Sequence, residues 1–377
     1  MKIPCIYMRG GTSKGCMFLK GDLPEDRSLW DSIFLKVMGG PDPKQIDGLG
    51  GTVSSNNKIL IVSRSENRDA DVDYLVAQVV VGEPLVDYSA NCGNMTAAVG
   101  PFAIMKGLVA ATGGATRIRM FNVNTNKIIE EIVPTLNGEV VEEGDCEIAG
   151  IDGTGAELKI NFLKPGGAKT GRLLPTGNAV DEIFVEGLGK TVSVSAVDIS
   201  GVFVFIRSRD LGMRGDELPS EVNANKELLK NIECIRGKVS VKCGLVEKWE
   251  DAAVKIAGSP KVVLISEPCD YTDIAGRSVS ARDMDICVRV ISVGQPHKAS
   301  PMTGATAIGG TAFIKDCIMT EFLKGKQLTD CVRIGHPSGV MKVYADYVYG
   351  ENGIYFNAIA GQRTARRMME GTLYIKD

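Results

Sequence analysis

The chain carries one unusual segment twice. Ser89-Ala90-Asn91-Cys92-Gly93-Asn94-Met95-Thr96-Ala97-Ala98 leads into the small-residue apolar run Val99 to Val109. In the second half, His297-Lys298-Ala299-Ser300-Pro301-Met302-Thr303-Gly304-Ala305-Thr306 leads into Ala307 to Ile318. Polar turn residues followed by an apolar run predict helices buried on all sides, over Gly93 to Val109 and Thr303 to Lys324. A helix N-terminus presents unpaired N–H groups and about half a positive charge, so it holds anions. Two such ends, one per half, point to a cleft between similar domains that clamps a substrate with several carboxylates.

At 377 residues there is room for two domains with proper cores. Hydrophobic residues make up 44% and charged residues 24%, the balance of an ordinary globular protein. A net charge of −3 gives no electrostatic case for nucleic acid or an anionic membrane, so anion binding must come from local groups. No apolar stretch approaches the roughly 20 residues that span a bilayer. The ten cysteines are scattered, with no CxxC, and Met1-Lys2-Ile3-Pro4 opens a strand pattern rather than a signal peptide. Reduced thiols in a cytoplasm are the expectation. With only two histidines, His297 and His336, a His-rich metal site is not expected.

Short β-type runs dominate the rest. They include Ile3 to Met8, Cys16 to Leu19, Lys58 to Val62, Tyr74 to Val81, Ile128 to Pro134, Leu158 to Phe162, Thr191 to Val197, Val202 to Phe205, Val262 to Ile265, Met284 to Val293, Val340 to Val348 and Gly353 to Ile359. Leu29 to Met38 and Glu217 to Asn231 have helical spacing, and Thr364 to Met369 reads as a short terminal helix. The turn residues Leu173 to Asn178 mark a boundary. The expected domains are 1–180 and 181–360, with residues from about 360 to 377 packing back on the first. Many strands and one apolar helix per half predict an α+β protein of two similar domains, each a curved sheet wrapped around a central helix.

Arg9-Gly10-Gly11-Thr12-Ser13-Lys14-Gly15 follows a strand and fails the phosphate-loop spacing. Its glycine-turn N–H groups, two hydroxyls and two cations still suit an anion, and a plain hairpin turn explains it equally well. Lys58 follows the turn Gln45 to Gly51 and opens an apolar strand. Such a lysine is either a solvated gatekeeper or a partly buried amine that serves as a neutral base. Cys92 stands at a predicted helix N-terminus, where a thiol exchanges protons readily; the alternative is a small buried hydrophobe. Asn91, Gly93 and Asn94 around it argue against a dry core. The polar segment ahead of the second helix offers Lys298, Ser300, Met302, Thr303 and Gly304 as binding residues. Arg363, Arg366 and Arg367 read as a solvated face or a carboxylate clamp.

Met8 to Gly15 (MRGGTSKG), Gln45 to Gly51 (QIDGLGG), Asn91 to Ile104 (NCGNMTAAVGPFAI), His297 to Ala305 (HKASPMTGA), His336 to Gly339 (HPSG) and Arg363 to Gly371 (RTARRMMEG) stand in one order that resembles the 2-methylaconitate cis-trans isomerases. That family includes 3-methylitaconate Δ-isomerase and 4-oxalomesaconate tautomerase. The resemblance implies a diaminopimelate epimerase-like fold and a metal- and cofactor-free allylic isomerase acting on an unsaturated di- or tricarboxylate. It places the family's lysine on Lys58, its cysteine on Cys92 and a substrate-site serine on Ser13. Where paired-thiol epimerases carry a second cysteine this chain has Thr303, which argues against an amino-acid epimerase or racemase. A non-catalytic polycarboxylate-binding protein is the rival from outside the enzymes. A homo-oligomer is the base-rate expectation for a metabolic enzyme.

Overall fold

The computed structural model describes residues 1–88, 92–256, 258–292, 294–351 and 353–376. The chain forms two compact units, Met1–Asn161 with Gln362–Asp377, and Phe162–Gly361. The division falls after Asn161, so the turn at Leu173 to Asn178 lies inside the second unit.

In the first unit Lys2–Gly10 and Ser13–Leu19 form a hairpin. Ser13–Leu19 runs parallel to Lys58–Arg64, which pairs antiparallel with Val72–Val79. Val72–Val79 runs parallel to Gly114–Asn122, which pairs antiparallel with Lys127–Leu136. The second unit repeats the sequence of pairings. Lys190–Asp198 and Val202–Arg207 form a hairpin, and Val202–Arg207 runs parallel to Lys261–Ser266. Lys261–Ser266 pairs antiparallel with Ile286–Ser292, which runs parallel to Cys331–His336, itself in a hairpin with Gly339–Gly350. Each unit is therefore three strand pairs joined by two parallel crossovers, and parallel neighbours need crossovers long enough to hold a helix.

The first crossover of each unit carries an amphipathic helix, Trp30–Met38 or Lys226–Lys242. The second carries the apolar segment found in duplicate. Strand alternation decides which face each helix covers. In the first unit Cys5, Tyr7, Cys16, Phe18, Ile59, Ile61, Leu75 and Ala77 pack on Ile33, Phe34 and Val37. Their neighbours Ile6, Met8, Met17, Leu60, Val62, Tyr74 and Val76 are buried on the opposite face. In the second unit Val194, Ala196, Val204, Ile206, Val262 and Leu264 meet Leu228, Ile232, Ile235 and Val239. Val197, Phe203, Phe205, Val263 and Ile265 enclose Met302, Ala305 and Ile308. A Cβ on Gly310 would come within 2.6 Å of both Ile199 Cδ1 and Ile359 Cδ1, so the small-residue helix is what lets strands close around it. Two such units give the α+β, diaminopimelate epimerase-like architecture.

Some expected elements are corrected. The helix expected over Gly93 to Val109 is two short helices, Gly93–Thr96 and Val99–Met105. Pro101 has no N–H to give the carbonyl of Ala97, so the helix must restart. Thr303 to Lys324 divides into Met302–Thr311 and Ile318–Phe322, with Asp316 at φ 64° between them. The segment Glu217 to Asn231 divides at Asn225, and its second part runs on to Lys242. Thr364 to Met369 is not a helix: Ala365–Tyr374 is a strand paired antiparallel with Lys2–Gly10. No helix among the described residues is long and apolar enough to cross a membrane.

Candidate active site

The first hairpin turns at Gly11 and Thr12, with Gly10 opposite Ser13 and Gly11 at φ 51°. The turn lies directly on the start of the inner helical segment. A Cβ on Gly10 would stand 2.8 Å from Asn94 O, and one on Gly11 2.6 Å from Asn94 Oδ1. That approach puts the functional atoms together. The Cys92 thiol faces Ser13 Oγ at 3.9 Å, and both residues are buried. Asn94 Nδ2 donates to Thr12 Oγ1 at 2.9 Å, while Asn94 Oδ1 accepts from Arg363 Nε at 3.3 Å. The Asn94 amide is thus fixed at both ends.

Lys58 reaches the same face by register. It lies beside Gly15 in the parallel pair and opposite Gln78 in the antiparallel pair. Ser13 and Gly15 share one face, and in-register neighbours on adjacent strands point the same way. Ile59 and Ile61 pack against the outer helix, so Lys58 projects to the inner side with Ser13 and Tyr74. Its amine donates to Gln78 Oε1, and Gln78 Nε2 is held by Asn57 O at 3.2 Å and Val79 O at 2.8 Å. An amide oxygen orients the amine in either protonation state, whereas a carboxylate would bind the ammonium form. Behind the site, Tyr74 Oη lies 3.2 Å from Thr96 Oγ1, which donates to Cys92 O at 3.1 Å.

Two expected binding residues take other places. Lys14 alternates to the outer face, where its amine lies 5.8 Å from the Tyr7 ring centroid. Arg9 braces the turn from behind, giving Nη1 to Gly11 O and Thr364 O, both at 3.0 Å. Asn91 lies outside the described residues. Gly93 opens the first short helix.

Gln78 is the residue that sequence reasoning did not offer to the site, and Arg363 was offered only as one of three arginines read as a solvated face or a carboxylate clamp. The guanidinium of Arg363 is buried, and burial pushes its pKa down to about 10. Burial, and then Arg366, lower Arg9 as well. Among the described residues neither cation meets a carboxylate. The signal for Gln78 was present: it is an amide in line with Val72, Tyr74 and Val76 on the inner face of its strand, four residues after Tyr74.

Glu131 lies under the second short helix. It is fully buried, its Oε2 accepts from Gly100 N at 2.8 Å, and Oε1 has no partner among the described residues. Burial pushes its carboxyl up to about 8. The folded protein then holds this proton where the unfolded chain, with a pKa of about 4.3, has lost it. Stability therefore falls as pH rises from about 4.3 to about 8, then levels off. Thermal melts of wild type and Glu131→Gln across this range should show the variant with the flatter profile and the higher melting temperature at the alkaline end; parallel profiles would remove Glu131 as the cause.

In the second unit Lys298 is exposed and Thr303 half-buried, while Ser300, Met302 and Gly304 are buried. Ser300 Oγ has no partner among the described residues, and a Cβ on Gly304 would stand 3.5 Å from it. That hydroxyl sits at the first turn of the ten-residue helix Met302–Thr311, beside N–H groups that no intrahelical carbonyl reaches. Ser338 Oγ donates to Lys298 O and fixes the approach to the helix from the His336–Gly339 turn.

A duplicated sheet-and-helix unit, with a lysine and a single thiol on one inner face, defines an isomerase of the diaminopimelate epimerase-like fold. Residues 1–376 match the family model described as PrpF protein, and the chain belongs to that family. It is 39% identical over 378 residues to a 3-methylitaconate isomerase of Eubacterium barkeri, covering 100% of this chain and 98% of that one. It is 39% identical over 386 residues to a 2-methyl-aconitate isomerase of Shewanella oneidensis, covering 98% and 96%. A solved structure of methylitaconate-delta-isomerase superposes with a TM-score of 0.90 at 38% identity, covering 100% of this chain and 96% of that one.

Proposed function

We propose that this isomerase shifts a double bond in an unsaturated di- or tricarboxylate of the 3-methylitaconate/2,3-dimethylmaleate or 2-methylaconitate type. The observation that carries the reading is Lys58 on the same sheet face as the Ser13–Cys92 pair, held by an amide rather than a carboxylate. The similarity to the two named isomerases supports the substrate class. Lys58, as the free amine, takes a proton from the carbon allylic to the double bond. The charge spreads over the allyl system into the adjacent carboxylate. Each well-placed donor aimed at that charge lowers the barrier by about 2.7–4 kcal/mol. The N–H groups at Gly93 and Asn94 are donors of this kind, and Ser13 and Thr12 add hydroxyls. The Ser300–Gly304 segment, with Lys298, serves as a further carboxylate-binding element. The proton returns at the far end of the allyl system from Lys58 or from Cys92. A single thiol, with Thr303 in the second helix, disfavours the paired-thiol racemase route.

Proton NMR in D2O with 3-methylitaconate, 2-methylaconitate and 4-oxalomesaconate tests this. Migration of the double bond with deuterium at the allylic carbon is the expected result for one of the first two acids. Turnover of oxalomesaconate alone would favour the keto–enol tautomerase. Exchange at a stereocentre of an amino acid without migration would favour an epimerase, and binding without exchange a non-catalytic protein. We place the protein in the cytoplasm, where its ten free thiols stay reduced, and as a homo-oligomer.

A further inference from the structure

In both units the strand that follows the first crossover begins with a lysine, Lys58 in Lys58–Arg64 and Lys261 in Lys261–Ser266. The registers correspond: Lys58 lies beside Gly15 in its parallel pair, and Lys261 beside Phe203. Val263 and Ile265 pack around the inner helix Met302–Thr311, and alternation sends Lys261 to that same face. The chain enters the helix from this end of the sheet. Val262 pairs with Ile291, Ile291 pairs on its other side with Pro296, and His297 N donates to Val290 O at 2.7 Å. Lys261 therefore takes the place in the second unit that Lys58 takes in the first. Their partners differ. The Lys58 amine donates to Gln78 Oε1, whereas the Lys261 amine has no hydrogen-bond or ion-pair partner among the described residues. Its Nζ lies 5.4 Å from the centroid of the buried Phe203 ring. Lys261 is half-buried, and burial lowers its pKa, an effect that an adjacent carboxylate opposes. Ser300 Oγ, buried at the start of the same helix, is unpartnered among the described residues as well. An unanswered cation, an unanswered hydroxyl and the free N–H groups of a ten-residue helix together fit a carboxylate.

We propose that Lys261 is the second unit's counterpart of Lys58 and that, with Ser300, it binds one carboxylate of the substrate. The proposal rests on the reading of that substrate as an unsaturated polycarboxylate. The different tasks of the two lysines follow from their neighbours. Lys58 shares its face with Ser13 and Cys92 and has an amide to orient its amine, which suits proton transfer. Lys261 faces a helix that carries no thiol, with Thr303 in its first turn, and the Phe203 ring supports the amine without orienting it through a hydrogen bond. A charge placed this way holds an anion and moves no proton. It grips a carboxylate that keeps its charge through the reaction, so it stabilises ground state and transition state alike. The exposed Lys298 adds to the attraction from outside, while Lys261 supplies the cation from within the fold.

The test separates binding from chemistry. Isothermal titration with tricarballylate, a saturated tricarboxylate with no double bond to move, reads binding. Steady-state rates with the acid that the wild type isomerises read KM and kcat. Lys261→Met keeps an unbranched stem over Phe203 and removes the charge. It is expected to bind tricarballylate about tenfold or more weaker and to raise KM by a like factor. Its kcat should stay within about threefold of wild type. Lys261→Arg should recover most of the affinity. Ser300→Ala should cost less in the Lys261→Met background than in the wild type, because both side chains contact one carboxylate. Unchanged Kd and KM in Lys261→Met would overturn the proposal. So would a fall in kcat at constant KM, which would make Lys261 a second proton-transfer group. Should the methionine variant fail to fold, Lys261→Gln carries the same comparison. The isomerase reading fails separately: a wild type that binds tricarballylate and isomerises none of the acids would sink that reading, and the binding constants would still decide the role of Lys261.

Discussion

Lys58→Ala is expected to fold, melt within a few degrees of wild type, and lose at least about 10²–10⁴ in turnover, the range for loss of a positioned general base. The asymmetry follows from the surroundings of the side chain. Lys58 stands at the head of its strand, and among the described residues its amine makes one hydrogen bond, to Gln78 Oε1. Gln78 stays anchored by Asn57 O and Val79 O when the amine is gone, so little structure depends on the contact. The strand keeps its core through Ile59, Leu60, Ile61 and Val62, none of which the change touches. Binding of an unreactive dicarboxylate should survive within about tenfold, because the N–H groups and hydroxyls around Asn94 remain. The loss should therefore sit in kcat. Partial rescue by a small primary amine would assign the lost group to proton transfer. Near-normal turnover would remove Lys58 from the mechanism. Cys92→Ser separates the two ways of returning the proton: if Lys58 both takes and returns it, the serine variant keeps most of its turnover.

Much of this site was legible in the chain because its parts are local. The glycine turn, Ser13, Cys92 and Asn94 sit in short motifs whose chemistry is visible residue by residue. What was not legible depends on sheet parity and on distant pairing. Lys14 is one residue from Ser13 and reads as its companion, yet alternation sends it to Tyr7 on the other face. Gln78 acquires a role only when register sets it opposite Lys58. The same holds for the elements. Gly114–Asn122 went unread because Arg117 and Arg119 interrupt the apolar signal, although Thr116, Ile118 and Met120 alternate inward. Ala365–Tyr374 has almost no buried positions to give a period. It is a strand because its backbone pairs with Lys2–Gly10, a partner at the other end of the chain. The duplication survived these errors because it is written in composition: a small-residue apolar helix is hard to place except inside a sheet.

Arg363 was read only as one of three arginines, and its variant should separate stability from function. Arg363→Met is expected to melt at or above the wild-type temperature while KM for the carboxylate substrate rises about tenfold or more. The guanidinium is buried, its hydrogen-bond partners among the described residues are Asn94 Oδ1 and Gln362 O, and burial, opposed by the nearby Cys146, pushes its pKa down to about 10. A buried charge facing only neutral acceptors costs free energy, and an unbranched apolar side chain of similar length removes that cost. The gain offsets loss of the Asn94 bond, which the Thr12 contact partly preserves. Function has no such compensation. Arg363 orients the Asn94 amide at the head of the helical segment and adds positive potential where a carboxylate is to bind, so its removal weakens ground state and transition state alike. That pattern raises KM and leaves kcat nearly constant. Arg363→Lys should recover part of the affinity without the fixed orientation of Asn94, since an ammonium is a point charge and not a planar fork. A methionine variant that melts well below wild type and binds substrate normally would make Arg363 a structural brace.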